Sequence, residues 1–435
     1  MLYCPLPWIF QAIRNNGDLR VCCQANQGPD RGLLRKPDNT IYNAAVDDLV
    51  EARNAQKMKD IRVAMINDKW HPDCVRCQKE EESGIRSRFT YEEEAWNHHF
   101  PALRAKLMTE PDGTINPSEI PVVYYDLRFG NVCNLKCRSC GPTDSDAWYG
   151  DQVKLWGPTY DDTAGLMNII KVDGKYTVEN DIYKWYENKS FWKHMQNEIP
   201  NIQYVHMVGG EPLLIKQQFA FLRKCIEAGR SKDITIEHNS NITYLPKMAL
   251  DLWKNFKEIR IGASIDGVGE VNNYIRYPSK WSTIVRNLKK LDSAEGNFKV
   301  WIAFTVQVLN ILSLPDFFQW KIDQQFKRIN TTAAWKPIAT LHPLHSPHFL
   351  NAKVLPLEAK IQVADKFSAA KFDEEYEPYA RKLLDQYCSF MFQEDYSYLL
   401  PKFWKYTNKL DVIRNQSLKE SIPDLYNLDG FADSK

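Results

Sequence analysis

Ten cysteines are placed unevenly along the 435 residues, and eight of them lie before residue 141. Three form a CxxxCxxC run, Cys133-Asn134-Leu135-Lys136-Cys137-Arg138-Ser139-Cys140. Thiolates are the preferred ligands of iron–sulfur clusters, and three on one loop can hold three irons of a four-iron cluster. The fourth iron then stays open to a small molecule. Upstream lie Cys4, the pair Cys22-Cys23, and Cys74-Val75-Arg76-Cys77. Four ligands from three places suit a structural zinc ion as well as a cluster. Cys22 is the preferred member of its pair, because it keeps the hairpin spacing, with Cys23 as alternate. Clustered cysteines without secretory features argue for metal rather than disulfides. Cys225 and Cys388 stand alone in helical patterns and read as core residues.

The thiols need elements to hold them. Val122–Phe129 is β-branched and aromatic and reads as a strand, broken by Gly130-Asn131, so Cys133–Cys140 leaves a strand's C-terminal end. In parallel α/β barrels that end carries the chemistry. Further strands are expected at Tyr204–Val208, Ile234–Glu237, Glu258–Ile265, Val300–Val308 and about 333–341. Helices are expected at Asp144–Leu155, Lys216–Gly229, Leu245–Asn255, Ser282–Leu291 and Leu314–Gln324. This is the βα alternation of a parallel sheet, six units long, with a polar surface insertion at 157–189. Upstream, Asn16-Gly17 between apolar runs predicts a hairpin that brings Cys4 near Cys22-Cys23. A helix is expected over Ala44–Asn67, with the CxxC on a loop after His71-Pro72. Proline- and glycine-punctuated residues 89–118 read as a connector. Beyond residue 345 the pattern is helical, at Leu357–Phe367, Tyr379–Phe390 and Pro401–Gln416, and reads as a cap over the barrel's open edge.

Other motifs fall at strand ends. Gly209-Gly210-Glu211-Pro212 follows the second strand; glycines let backbone approach a ligand, and carbonyls accept from an ammonium group. His238-Asn239-Ser240-Asn241 follows the third and Ser264-Ile265-Asp266-Gly267 the fourth. Arg276 follows in Tyr274-Ile275-Arg276-Tyr277, and a guanidinium fork suits a carboxylate. The fifth strand ends in Gln307-Val308-Leu309-Asn310. His342, His345 and His348 are interrupted by prolines and do not suggest a metal site. Asp126 and Glu237 lie near strand ends, but no general base is nominated.

Composition excludes several classes. A formal net charge of +1 offers no broad basic footprint, so no nucleic-acid partner is expected. No apolar run is long enough to span a bilayer, and no signal peptide is recognised, so a cytoplasmic protein without membrane association is expected.

The CxxxCxxC, GGEP, Asn239, Ser-x-Asp-Gly and Arg276 elements, in this order, resemble the radical S-adenosylmethionine (SAM) superfamily. The upstream Cys-x-x-x-Trp, Gly-x-x-x-Cys-Cys and CxxC run resembles its twitch/SPASM auxiliary-cluster modules. The resemblance covers residues 1 to about 345. It implies an α/β fold: a partial (β/α)6 radical SAM barrel at 119–345, a cysteine-rich α+β module and connector at 1–118, and a helical region at 346–435. It implies that Cys133, Cys137 and Cys140 hold a [4Fe–4S] cluster with SAM at the open iron. Gly209, Gly210, Glu211, Pro212, Asn239, Ser264, Asp266, Arg276 and Gln307 would bind SAM. Cys4, Cys22, Cys74 and Cys77 would hold a second, auxiliary [4Fe–4S] cluster. The implied reaction is reductive cleavage of SAM to a 5′-deoxyadenosyl radical that abstracts a substrate hydrogen, for oxidative modification of a peptide or protein. A flavodoxin- or ferredoxin-like reductant would supply electrons. Two alternatives are dehydrogenation of a sugar or aminocyclitol, and a non-catalytic zinc-containing binding protein on the same barrel. The chain departs from the family in three ways. Its module precedes the core, Ser139 replaces the usual aromatic before the third cysteine, and His-Asn-Ser-Asn replaces Thr-Asn-Gly.

Overall fold

The computed structural model describes residues 2–28, 30–82, 86–162, 165–329 and 338–431. Its framework is an eight-stranded sheet. The strands are β1 (Phe10–Ile13), β2 (Leu19–Arg20), β3 (Tyr124–Phe129), β7 (Tyr204–Gly209), β8 (Thr235–Ser240), β9 (Glu258–Ser264), β10 (Phe298–Val306) and β11 (Thr340–Pro343). Their order is β11-β10-β9-β8-β7-β3-β1-β2. The six expected strands therefore lie side by side in chain order. Parallel pairing is seen for β3 with β7, β9 with β10, and β10 with β11. Residues 333–337 of the expected sixth strand lie outside the described residues.

Alternation explains how the strands are used. In β10, Phe298, Val300, Ile302, Phe304 and Val306 are all buried, while Lys299 between them is exposed. In β3, Tyr125, Leu127 and Phe129 share one face, and Tyr124, Asp126 and Arg128 share the other. Parallel sheets usually carry apolar side chains on both faces. A face with Asp126 and Arg128 on one strand marks a surface that handles polar groups.

Four of the helices between strands lie within two residues of expectation, at Lys216–Glu227, Lys247–Trp253, Trp281–Asp292 and Leu314–Asp323, whereas the first, expected from Asp144, begins only at Tyr149 after a 3-10 turn at Asp146–Trp148 and runs to Trp156. After residue 345 the main helices are Leu357–Ala369, Glu377–Phe392 and Leu400–Arg414. The 157–189 insertion forms a small antiparallel sheet of β4 (Thr159–Asp162), β5 (Gly165–Val172) and β6 (Lys175–Val178).

The structure corrects three local expectations. Cys77 is not on a loop: the CxxC begins in a short 3-10 turn, Pro72–Cys74, and continues into helix Val75–Glu82. Residues 89–118 are more than a connector, because helices Arg88–Trp96 and Ala102–Leu107 form there. The helix expected over 44–67 is shorter, a 3-10 turn at Glu51–Asn54 followed by Gln56–Ile66. The Asn16-Gly17 hairpin does form, with Gly17 at φ +88°. Its first strand then pairs in parallel with β3, Asp126 opposite Ala12. The N-terminal segment thus extends the main sheet.

The chain divides into two compact units, 1–131 with 181–237 and 255–257, and 132–180 with 238–254 and 258–435. The first holds the upstream cysteines and the GGEP turn. The second holds the CxxxCxxC loop and the later strand ends. No described helix is long and apolar enough to cross a membrane.

Candidate active site

In the second unit, the side chains and backbone between the three thiols are pinned. Asn134 Nδ2 donates to Thr243 Oγ1 at 2.8 Å, and Asn134 Oδ1 accepts from Asn241 Nδ2 at 2.9 Å. Lys136 Nζ pairs with Asp151 at 2.7 Å. The Lys136 and Arg138 amides donate to the Tyr277 and Ile275 carbonyls. Arg138 is fully buried; its guanidinium stacks 3.6 Å from the Tyr274 ring centre and pairs with Asp411. Tyr406 Oη donates to the Arg138 carbonyl at 2.6 Å. Outside the loop, Asp146 accepts from the Cys133 amide and Trp148 Nε1 donates to the Cys137 carbonyl. A loop held at this many points presents its thiols in a set geometry.

Electrostatics favour one thiolate there, at Cys137, while their shared hydrogen bond and burial hold its partner Cys140 well above an ordinary thiol. Cys137 is pulled down to about 7, first by a hydrogen bond from Cys140 and then by the charges of Arg276 and Arg414, against burial and Asp266. Arg276 is held by Asp266 at 2.6 Å. Asp266 is fully buried; its other oxygen accepts from the Thr305 amide and its carbonyl from Asn310. It therefore ties the ends of β9 and β10 together while it aims Arg276. Ser264 is half-buried at the end of β9, and Asn239 is exposed on β8. Gly262 leaves room for Asn239, since a Cβ there would stand 2.6 Å from Asn239 Oδ1. Gln307 is fully buried, and neither its amide oxygen nor its nitrogen has a hydrogen-bond partner among the described residues. Buried polar atoms are almost always paired, so this amide is placed for a group bound from outside.

In the first unit, the GGEP turn closes β7. Gly209 has φ +131°, and a Cβ there would meet Phe129 backbone atoms at 2.7–2.9 Å. Glycine is required on both counts. The Gly210 amide donates to the Gly130 carbonyl at 3.2 Å, joining the exits of β3 and β7. Glu211 is buried and caps the short Pro212–Leu214 helix through the Leu213 amide.

The same unit gathers the upstream cysteines. Cys4, Cys22, Cys74 and Cys77 line one cavity of about 40 Å³, walled by apolar groups such as Leu6, Val21, Ile61 and Met65. The four are distributed around a void; among the described residues, no three His, Cys, Asp or Glu side chains are grouped to hold a single metal ion. Burial raises Cys4 and Cys77, and raises Cys74 to about 12. Metal binding would replace those protons. Arg88 also lines the cavity, and its Nη1 donates to Cys23, outside the cavity lining. A hydrogen bond with Cys22, followed by the Arg88 charge, holds Cys23 well below an ordinary thiol.

The polar face of the first unit contains a group that sequence reading missed. His206 on β7 lies between two carboxylates, Nδ1 3.5 Å from Asp126 and Nε2 3.7 Å from Glu237. Tyr204 Oη donates to Glu237. Burial pulls His206 down, but Asp126 contact and charge, then Glu237, outweigh it and raise its pKa against Arg128. Burial would raise Asp126; Arg128 first, then His206 and Arg20, hold it well below the carboxylate range. The available signal was a histidine inside an otherwise apolar strand, Tyr204-Val205-His206-Met207-Val208. Asn241, which ties the end of β8 to Asn134, was also passed over in favour of Asn239.

No family model matches the chain, and neither does any curated protein. Among solved structures, anSMEcpe with bound AdoMet aligns at 16% identity and TM-score 0.33, covering 48% of this chain and 51% of that one. SuiB of Streptococcus suis, bound to precursor peptide SuiA, aligns at 14% identity and TM-score 0.30, covering 66% of this chain and 58% of that one. The chain thus spans little more than half the length of either.

Proposed function

We propose that the protein is a radical SAM enzyme that oxidatively modifies a peptide or protein. Cys133, Cys137 and Cys140 would hold the core cluster. Gly209, Gly210, Glu211 and Pro212 would receive SAM together with Asn239, Ser264, Arg276 and Gln307, with Asp266 orienting Arg276. Cys4, Cys22, Cys74 and Cys77 would hold the auxiliary cluster. The observation that carries this reading is the pinned three-thiol loop, whose Cys137 is held low first by its hydrogen bond with Cys140 and then by Arg276. The residues fit the cofactors: the amide of Gln307 is buried unpaired, and the upstream thiols surround a void. When bound, the core cluster and SAM supply abstraction of a hydrogen atom from an unreactive C–H bond.

The chain's own residues then have separable tasks. Arg276 orients a carboxylate through its fork. Gln307 offers an amide edge to a heterocycle. Within the first unit, His206 can exchange a proton at Nε2 on the side of Glu237, while Asp126 holds Nδ1. The modules at 1–118, 119–345 and 346–435 would divide auxiliary site, core and helical support.

Anaerobic reconstitution should give about eight irons per chain and negligible zinc, the sum of two four-iron clusters. Dithionite and SAM should then yield 5′-deoxyadenosine, and the Cys137→Ala variant should yield none. Stoichiometric zinc with half the iron would remove the auxiliary cluster alone. An iron-loaded wild type that makes no 5′-deoxyadenosine would remove the enzyme reading.

A further inference from the structure

Arg414 ends helix Leu400–Arg414, more than 270 residues beyond the cysteine loop in sequence, and it is only 5% exposed. Its Nε donates to Asp151 at 2.8 Å. Both remaining nitrogens, Nη1 and Nη2, are buried without a hydrogen-bond partner among the described residues. The guanidinium centre lies 4.7 Å from the Trp148 ring and 5.3 Å from the Tyr277 ring. These rings belong to residues that hold the loop: Trp148 donates to the Cys137 carbonyl, and the Tyr277 carbonyl accepts the Lys136 amide. Arg414 is therefore packed against the residues that support the loop.

The charges around the loop are unequal. Arg138 has Asp411 and Arg276 has Asp266. Asp151 alone serves both Lys136 and Arg414. Asp146 also lies against the loop, at the Cys133 amide, so what singles out Arg414 is its bonding: both Nη nitrogens are buried without a hydrogen-bond partner among the described residues, and burying such groups unpaired is costly. Three thiolates on a four-iron core leave such a centre net negative, which is the complement of that unpaired guanidinium edge.

We propose that Arg414 is a positioning residue of the core cluster site, supplying from helix Leu400–Arg414 the positive charge that offsets the thiolates and favours the cluster's reduced form. This rests on the core cluster proposed above. It makes the C-terminal helix part of the radical-generating site rather than a cover for the sheet. Fixed charge near a cluster is one of the factors that set its potential.

The test is an EPR-monitored potentiometric titration of the reconstituted full chain without SAM. The core signal is identified as the one that added SAM changes. Iron is counted in each sample. Arg414→Met should keep the core iron and shift its midpoint to more negative potential, and Arg414→Lys should return it toward wild type. If the Met variant cannot hold core iron and the Lys variant can, charge is again the cause and the proposal stands. Equal midpoints in wild type and Arg414→Met would overturn it. So would equal shifts, or equal loss of iron, in both variants, because packing would then be the cause. A wild type without core iron would instead defeat the function proposed above.

Discussion

His206 is poised by two carboxylates against its own burial. The sign of the linkage follows from the two shifts. Asp126 is depressed, so its contribution to stability is present above its unfolded value of about 3.9 and is lost as pH falls through its folded value. His206 is raised, so its contribution is complete below its unfolded value of about 6.5 and is lost as pH rises through its folded value. The groups facing His206 are Asp126 and Arg128 from β3, Tyr204 from its own strand and Glu237 from β8. The stability difference between wild type and Asp126→Asn, read by urea denaturation, should be largest between about pH 4 and 6.5 and should shrink above that window. An NMR titration of histidine Cε1–H should show the His206 pKa falling in the same variant. An unchanged value would mean that Asp126 does not hold the imidazole. At this scale the cysteines were legible because thiol spacing is local. His206 was not, since its character comes from neighbours 31 and 80 residues away in sequence.

At the scale of elements, the strands were legible because alternation and glycine breaks are written in single segments. β3, β7, β9 and β10 start and stop within two residues of expectation. The helices at Val75–Glu82 and Arg88–Trp96 were missed because charged residues mask their periodicity. Arg76–Glu80 and Arg88–Glu92 are i,i+4 pairs that support those helices, the second turned inward toward Cys23 and the cavity. The clamp on the cysteine loop is a second element-scale feature. Asp411 accepts from Arg138, from Tyr274 Oη at 2.8 Å, and from the Leu418 amide at 2.9 Å. Asp411→Ala leaves the buried Arg138 guanidinium without its carboxylate and should cost about 3–5 kcal/mol, measured by urea denaturation. Combining it with Arg138→Met should recover part of that loss. A single variant within 1 kcal/mol of wild type would show that the Tyr274 stack and the bonds to the Tyr274 carbonyl and Gln416 suffice for Arg138, since about 1 kcal/mol is the scale of a net hydrogen bond. The β7 exit is equally specific. Gly209→Ala forces a Cβ against the Phe129 backbone at a positive φ and should lower stability by more than the ~1 kcal/mol of an ordinary glycine replacement.

Across the whole molecule, the expected core was present in order and the helices after residue 345 were present in number. The role of those helices was not legible. Asp411 and Arg414 are unremarkable charged residues in an amphipathic pattern, and only the folded chain shows them reaching Arg138 and Asp151. The upstream cysteines are five, and the resemblance groups Cys4, Cys22, Cys74 and Cys77 as one site; the cavity these four line is formed where a hairpin, a 3-10 turn and a helix meet. If both thiol sites hold clusters as proposed, the molecule should lose iron in two independent steps. Cys74→Ser should reduce iron by about four per chain while leaving the SAM-sensitive core signal intact, as four-cysteine clusters require.

The parallel pairing of β1 with β3 also has a consequence for synthesis. All four cavity cysteines precede residue 78, but β1, which follows directly from the Cys4 segment and pairs early with β2, gains its second neighbour only when Tyr124–Phe129 has emerged. Pairing across that sequence separation is slow compared with local hairpin closure. The nascent N-terminal segment therefore spends an interval with its thiols gathered loosely and one strand edge unsatisfied. If the upstream site takes a metal as proposed, its loading should follow sheet closure, and a ribosome-bound chain stalled before residue 124 should leave its thiols open to alkylation.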